Sequence, residues 1–272
     1  MTRVGIIIDK YHLKYKVEKF LKYLKKKAHV KIYLEEKTLV NFKKVQFNED
    51  IFFVKAKGNL VLYLAKLIEQ EISIPVINSY KGIFLAINRF LNSLYLKKAG
   101  ILVPRFSLTP IKMPPPFNEY IIKNIIDQKN YSFKPEIKKN KGHLEVMDER
   151  ALSEAINSSE NYRYLYYQEF IKSKWEYKVY TIGDKLFFYK QIPVLVNPDK
   201  LKTRREIEEI PELRSIVIKV NKVIGLKISS LDFLKTIDGN YYLTDVNPTP
   251  NFNYIKNGHK IVADYLIEQA KC

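Results

Sequence analysis

Residues 220–255, VNKVIGLKISSLDFLKTIDGNYYLTDVNPTPNFNYI, decide how this chain is read. The apolar spacing of Leu213–Ile224 is that of a helix face, and Gly225 follows it where a left-handed residue ends a helix. Two short runs, Leu231–Leu234 and Tyr241–Val246, flank Asp238-Gly239-Asn240 and predict a hairpin. Asp232 sits on its first strand, and Asp245 and Asn247 on its second. Asp245 and Asn247 are two apart, so both leave the same face of an extended segment. Asp232 is within cross-strand reach. Oxygen donors converging on one face suit a hard divalent cation, Mg²⁺ or Mn²⁺, whose shell is completed by phosphate and water. A hairpin with solvated acids on its outer face has the same spacing, and spacing alone does not separate the two. Asn247-Pro248-Thr249-Pro250 adds a proline-locked turn that would hold Asn247 in place.

Working outward, the first 80 residues alternate between two periods. Val4–Ile8, Val30–Leu34, Ile51–Val54 and Pro75–Asn78 read as strands, and Tyr15–Lys27 and Leu60–Ile72 as helices. That alternation predicts a parallel sheet with crossover helices. No glycine-rich fingerprint follows the first strand, so a dinucleotide site there is unsupported. A long helix is expected over Lys81–Ala99, ended by Gly100, and GILVPRFSLTP (Gly100–Pro110) then returns as a strand, with Pro104 tolerated near its start or edge. Asn118 is a candidate cap for a helix Glu119–Gln128. Tyr131–Phe133 leads into Lys134-Pro135, Leu144–Met147 follows, and Asp148 is placed to cap a helix Glu149–Asn157. Tyr164–Ile171, Tyr177–Ile182 and Lys185–Tyr189 read as strands, the last two joined at Gly183-Asp184. A basic loop (197–206) and a closing helix, Lys260–Ala270, complete the chain.

Composition sets the boundaries. The chain has 272 residues, 46% of them hydrophobic, enough for two or three small lobes. Its only cysteine is Cys272, which excludes a disulfide scaffold and makes a reducing cytoplasm the natural setting. The N-terminus is too quickly charged for a signal peptide, and no apolar run approaches the roughly 20 residues a membrane span needs. The net charge of +18 admits a nucleic-acid surface, a funnel for small anions, or simply lysine-rich solvated helices. The basic residues are spread over amphipathic helices instead of forming one block, which weighs against nucleic acid. The four histidines, His12, His29, His143 and His259, lack metal-ligand spacing.

The 220–255 stretch resembles the C-terminal core of the ATP-grasp superfamily. More narrowly, it looks like the branch that holds glutathione synthetases, ribosomal-protein glutamate ligases and inositol phosphate kinases. Gly225, Leu226, Asp232, Asp245, Asn247 and Pro250 fit its pattern of a helix ending in Gly-Leu, an Asp on a strand, and a hairpin to an acidic-x-Asn-x-x-Pro turn. Upstream, NSYKGIFLAINRFLNSLYLKKAGILVPRFSLTP, YYQEFI and WEYKVYTIGDKLFFY resemble the helix before the first ATP lobe, the hinge strand and the strand pair after it. The resemblance covers roughly residues 78–272. It implies an α/β (α+β) fold with an N-terminal parallel-sheet lobe (1–80), a central lobe (81–166) and a C-terminal lobe (167–272), the last two clamping ATP.

The resemblance also implies roles. Asp232, Asp245 and Asn247 match metal ligands. Gln168, Glu169, Phe170 and Ile171 match the hinge that meets adenine, and Glu176 the acid for the ribose. Lys134 matches the lysine of a Lys-Pro strand reaching the phosphates, Arg89 a second phosphate cation, and Lys178 the basic residue near the transferred phosphoryl group. Each also has a plain reading: Lys134 as an exposed strand lysine, Arg89 and Glu176 as surface residues. The chain departs from the family in its phosphate loop, PEIKKNKGH, which has a single glycine, and in the loop QIPVLVNPDKLKTRRE. The implied activity is a ligase joining a carboxylate to an amine through an acyl phosphate, with ATP, the divalent ion and an anionic small molecule or peptide as partners. Asp-Val-Asn and Tyr-Lys-Val-Tyr are similar to the inositol phosphate kinases, so a small-molecule kinase is the second reading. An ATP-binding protein without turnover is the third.

Overall fold

The computed structural model describes residues 1–40, 46–110, 113–127, 138–139, 164–193, 195–197 and 199–271. The N-terminal part runs β1 (Arg3–Ile8), α1 (Lys10–Tyr15), α2 (Glu18–Leu24), β2 (His29–Leu34), α3 (Glu35–Val40), β3 (Ile51–Lys55), α4 (Asn59–Gln70) and β4 (Val76–Ile77). Its strands form a sheet in the order β2-β1-β3-β4, every pair parallel. A sheet covered on both faces needs continuous apolar strands, and β1 and β3 supply them. Alternate residues serve two cores. Ile7, Phe52 and Val54 pack with Val61, Ala65 and Ile68 of α4. Ile6, Ile8 and Phe53 pack with Phe20 of α2 and with Tyr180, Ile228 and Phe252 from the far end of the chain. The N-terminal sheet therefore has no separate core on that side.

The middle comprises α5 (Tyr80–Ile87), α6 (Arg89–Lys98), β5 (Phe106–Pro110), β6 (Glu119–Lys123), β7 (Lys138–Lys139) and β8 (Tyr164–Glu169). Its strands pair antiparallel in the order β5-β8-β6-β7. The C-terminal part comprises β9 (Glu176–Ile182), β10 (Lys185–Gln191), α7 (Lys200–Thr203), β11 (Arg205–Glu206), α8 (Pro211–Ile224), β12 (Ile228–Lys235), β13 (Tyr241–Asn247) and α9 (Gly258–Gln269). Its antiparallel sheet has the order β11-β10-β9-β12-β13. Helix α8 starts at Pro211 and ends at Gly225, whose φ of 86° is left-handed; Leu213, Val217, Val220 and Ile224 are its buried stripe.

The structure corrects three helices expected from sequence. Tyr15–Lys27 is not one helix: α1 and α2 meet at Lys16-Val17. Lys81–Ala99 breaks at Asn88, where the backbone turns aside to bridge Ile126. There Arg89 N–H donates to the Ile125 carbonyl at 2.8 Å and Asp127 N–H to the Ile87 carbonyl at 2.7 Å. The Asn88 side chain then caps α6 through the Leu91 N–H. In place of the expected helix Glu119–Gln128, Glu119–Lys123 is the strand β6, because pairing with β8 outweighs the local helical pattern; Gln128 lies outside the described residues. Tyr131–Phe133, Leu144–Met147 and the helix Glu149–Asn157 lie outside the described residues. Among the described residues, no helix is long and apolar enough to cross a membrane.

Candidate functional site

The register of the C-terminal sheet builds one row of side chains. Lys178 on β9 stands opposite Asp232 on β12, and Asp232 stands opposite Asp245 on β13. Residues directly opposite in an antiparallel pair project from the same face, so all three share it. The Lys178 ammonium donates to Asp232 Oδ1, and both side chains are nearly buried. In the next row, Ser230 stands between Tyr180 and Asn247. Asn247 Oδ1 accepts the Thr249 N–H at 3.0 Å, which ties the side chain to the proline turn.

A β-bulge decides which way the second acid points. Pairing shifts between Asp232 and Phe233, so that Thr244 has no register partner. Strict alternation would put Asp245 on the same face as Tyr241 and Leu243, which are core residues. The extra residue reverses the phase, sending Val246 inward and Asp245 and Asn247 to the open face. The Thr244 hydroxyl fastens the bulge by donating to the Asp232 carbonyl at 3.0 Å.

The opposite wall comes from the central lobe. Lys123, the last residue of β6, donates to the Thr244 carbonyl at 2.8 Å. Burial pushes its pKa down to about 8; Asp245 and Asp232 oppose that shift, while Arg89 adds to it. Arg89, at the start of α6, donates to the Asn124 carbonyl at 2.8 Å and to Asp127 Oδ1 at 2.7 Å. Its buried Nε has no hydrogen-bond partner. Asp127 also pairs with Lys57, from the loop after β3. Burial alone would raise the Asp127 carboxyl, but Lys57 and Arg89 hold it below the usual range. Arg89, Lys123, Asp127, Tyr166, Gln168 and Asp245 are among the residues lining a cleft that opens to solvent.

The remaining expected residues fall in several places. Gln168 is buried and lines the cleft. Glu169 is held instead by the Arg105 fork at 2.6 and 3.0 Å, and that guanidinium keeps its carboxyl below the usual range. The Phe170 N–H donates to the Glu119 carbonyl at 3.0 Å, and Phe170 and Ile171 are half-buried. Glu176 is buried and accepts the Gln191 amide, while Gln191 Oε1 accepts Arg204 Nε at 2.6 Å. Lys134 lies outside the described residues. The sequence reading missed Lys123, Lys57 and Asp127. Lys123 ends the run Tyr120-Ile121-Ile122, a strand signal that the helix reading of Glu119–Gln128 displaced.

The donor set suits a magnesium-like ion on chemical grounds. Among the described residues, no group of three or more His, Cys, Asp or Glu side chains is arranged to hold a metal. Two carboxylates and one amide oxygen leave half of an octahedral shell to phosphate oxygens and water, the mode Mg²⁺ favours.

No protein-family model matches the sequence, and no curated protein matches it. Solved structures do. The D-alanine–D-alanine ligase of Bacillus anthracis, complexed with ATP, is 14% identical, with a TM-score of 0.72 over 100% of this chain and 98% of that one. A RimK domain ATP-grasp protein from Sphaerobacter thermophilus is 14% identical, with a TM-score of 0.70 over 98% and 100%. An ATP-grasp ligase associated with ribosomal peptides in Chryseobacterium gregarium, complexed with ADP and a leader and core peptide, is 13% identical, with a TM-score of 0.69 over 99% and 97%. At such identities the likeness is one of architecture, and it spans the whole molecule: the chain has the ATP-grasp fold.

Proposed function

We propose that the protein is an ATP-dependent ligase that joins a carboxylate to an amine through an acyl phosphate, releasing ADP. One observation carries the reading: the Asp245 carboxylate and the Lys123 and Arg89 cations line one cleft between two antiparallel sheets, and Asp232 is the register partner of Asp245. Cations on one wall and metal-binding oxygens on the other are what a triphosphate requires. The ATP-grasp neighbours, several of them ligases, support the same direction.

Lys123 and Arg89 hold the phosphates by charge, and Asp127 and the Asn124 carbonyl fix the Arg89 fork. Gln168 borders the adenine side. Lys178 stands beside the transferred phosphoryl group. Asp232, Asp245 and Asn247 would hold Mg²⁺, which neutralises the triphosphate when bound. A substrate carboxylate oxygen then forms a bond to the γ-phosphorus as the bond to ADP breaks. The amine attacks the acyl carbon, phosphate leaves with the C–O bonding pair, and the amine proton passes to water. The chain supplies position and field, with no covalent nucleophile. The three-lobe division and a cytoplasmic setting, from the lone Cys272, belong to the same proposal.

Mg-ATP should raise the melting temperature of the protein and not that of Asp245→Ala. Undiminished stabilisation of that variant would remove the metal assignment. ADP release that requires both a carboxylate and an amine marks a ligase. Release with a single hydroxyl acceptor would make the protein a kinase and overturn the ligase reading.

A further inference from the structure

The face of the C-terminal sheet turned away from Lys178 and Asp232 carries a second charged feature. Lys190 and Arg205 are register partners on β10 and β11, and Lys190 stands opposite Tyr177 on β9. Lys178, one residue along from Tyr177, projects to the face that carries Asp232 and Asp245, so this row projects the other way. At its centre is Trp175, the only tryptophan of the chain. Lys190 Nζ lies 4.3 Å from the indole centroid, the Arg205 guanidinium carbon 5.6 Å and Lys174 Nζ 5.9 Å. Lys235, over Tyr241 at 4.7 Å, extends the group. The strap that carries Trp175 is pinned: the Ser173 hydroxyl lies 2.8 Å from the Trp175 carbonyl and 2.7 Å from the Lys235 carbonyl.

These cations are concentrated without acids. Among the described residues, Lys174, Lys190 and Arg205 form no ion pair. Lys235 feels Glu212 only at long range. Elsewhere the protein does pair its surface cations, as in Arg3 with Asp50, Lys27 with Asp264 and Arg214 with Glu209. Burial and the repulsion of Arg205, Lys174 and Lys235 together hold the Lys190 ammonium below the ordinary lysine range. Repulsion of this kind costs stability in the free protein and is relieved by an anionic occupant. Three cations already lie within 6 Å of the indole centroid and would compete with a nucleobase for the ring.

The geometry points to a docking site for an acidic peptide segment on the Trp175 face, on the reverse side of the sheet that bears Lys178 and Asp232. This inference does not depend on the ligase reading. The site needs no nucleotide, and its occupant does not enter the cleft.

Trp175 reports on the site directly. Titration with a short oligoglutamate peptide should change the tryptophan emission in a saturable way that fades as salt screens the charges. Lys174 and Arg205 are exposed, so Lys174→Glu with Arg205→Glu should leave the fold intact and weaken binding about tenfold or more. A control double variant, Lys25→Glu with Lys26→Glu on the distant α2 end, should bind as the parent does. Saturating Mg-ATP should leave the peptide affinity unchanged. Equal loss in the control would reduce the effect to net charge and overturn the site. So would peptide displacement by Mg-ATP, an absent emission change at low salt, or tighter binding of a single-stranded oligonucleotide of equal charge through the same residues.

Discussion

Two lysines, one half-buried and one fully buried, carry the sharpest expectations at the scale of single residues. Lys123 is charged only below a pKa pushed down to about 8. If it holds phosphate, affinity for Mg-ATP should fall as pH rises through about 8, because the neutral amine loses its charge. Lys123→Met should weaken ATP binding by about tenfold or more, the scale of a lost charge-assisted hydrogen bond, and should flatten that pH dependence. Isothermal titration at several pH values reads both effects; an unchanged affinity would remove Lys123 from the site. Lys55 is fully buried at the end of β3, donates to the Thr249 carbonyl at 3.0 Å and to the Pro250 carbonyl, and sits 4.7 Å over the Phe252 ring. Burial first, then Lys57 and Lys16, push its pKa down to about 7. A lysine whose folded pKa is depressed penalises the folded state fully below that pKa. The penalty fades as pH climbs from about 7 toward the ordinary lysine value, so its contribution to stability rises over that window. Lys55→Met should reduce the rise of melting temperature between neutral and mildly alkaline pH. A variant that keeps the full rise would place its origin elsewhere.

At the scale of elements, a contact between two glycines sets how α5 meets the end of α8. A Cβ built on Gly82 would lie 2.3 Å from the Gly225 carbonyl oxygen, a backbone atom with no rotamer to yield. Gly82→Ala should therefore destabilise the protein by about 1–3 kcal/mol, read from the denaturant midpoint; a neutral result would show that the two backbones can separate freely. This element scale is also where sequence reading succeeds and fails for physical reasons. The hairpin bearing Asp232 and Asp245 was legible because turn chemistry and strand runs are local signals. So was α8, read from the apolar spacing of Leu213–Ile224 and the Gly225 that ends it. The break at Asn88 was not legible, since its cause is a bridge to Ile126 that only the folded chain brings near. β6 was lost for the same reason: Glu119–Lys123 becomes a strand through β8, more than 40 residues away, and Lys123 disappeared from view with it. The bulge at Thr244 was equally hidden. Asp245 and Asn247 were assigned a shared face, but which face that is depends on a register slip that no local pattern announces.

At the scale of the whole molecule, one asparagine joins the N-terminal sheet to the hairpin that carries Asp232 and Asn247. Asn78 follows β4 and is 1% exposed. Its Nδ2 donates to the carbonyls of Ile228 and Pro248, each at 2.7 Å, and its Oδ1 accepts the N–H groups of Lys227 and Ile228 at 2.8 and 2.9 Å. The contacts reach both the start of β12, which leads to Asp232, and the turn that positions Asn247. They lie beside the core in which Ile6 and Phe53 pack against Ile228 and Phe252, so the first and last thirds of the chain unfold together or not at all. Asn78→Leu keeps a comparable volume and strands four backbone groups that water cannot easily reach. Each such group costs about 1–3 kcal/mol when buried without a partner, and the costs are not additive, so a total of about 3–6 kcal/mol is expected. That is a large part of the roughly 5–15 kcal/mol that holds a typical domain folded. The variant should still unfold in one transition, at a much lower denaturant midpoint. In mild denaturant its Mg-ATP stabilisation should be lost before its secondary structure, because the turn holding Asn247 loosens first. If Asn78→Leu costs less than about 1 kcal/mol, the N-terminal sheet and the hairpin are joined by their shared apolar core alone, and Asn78 does not set the position of the site.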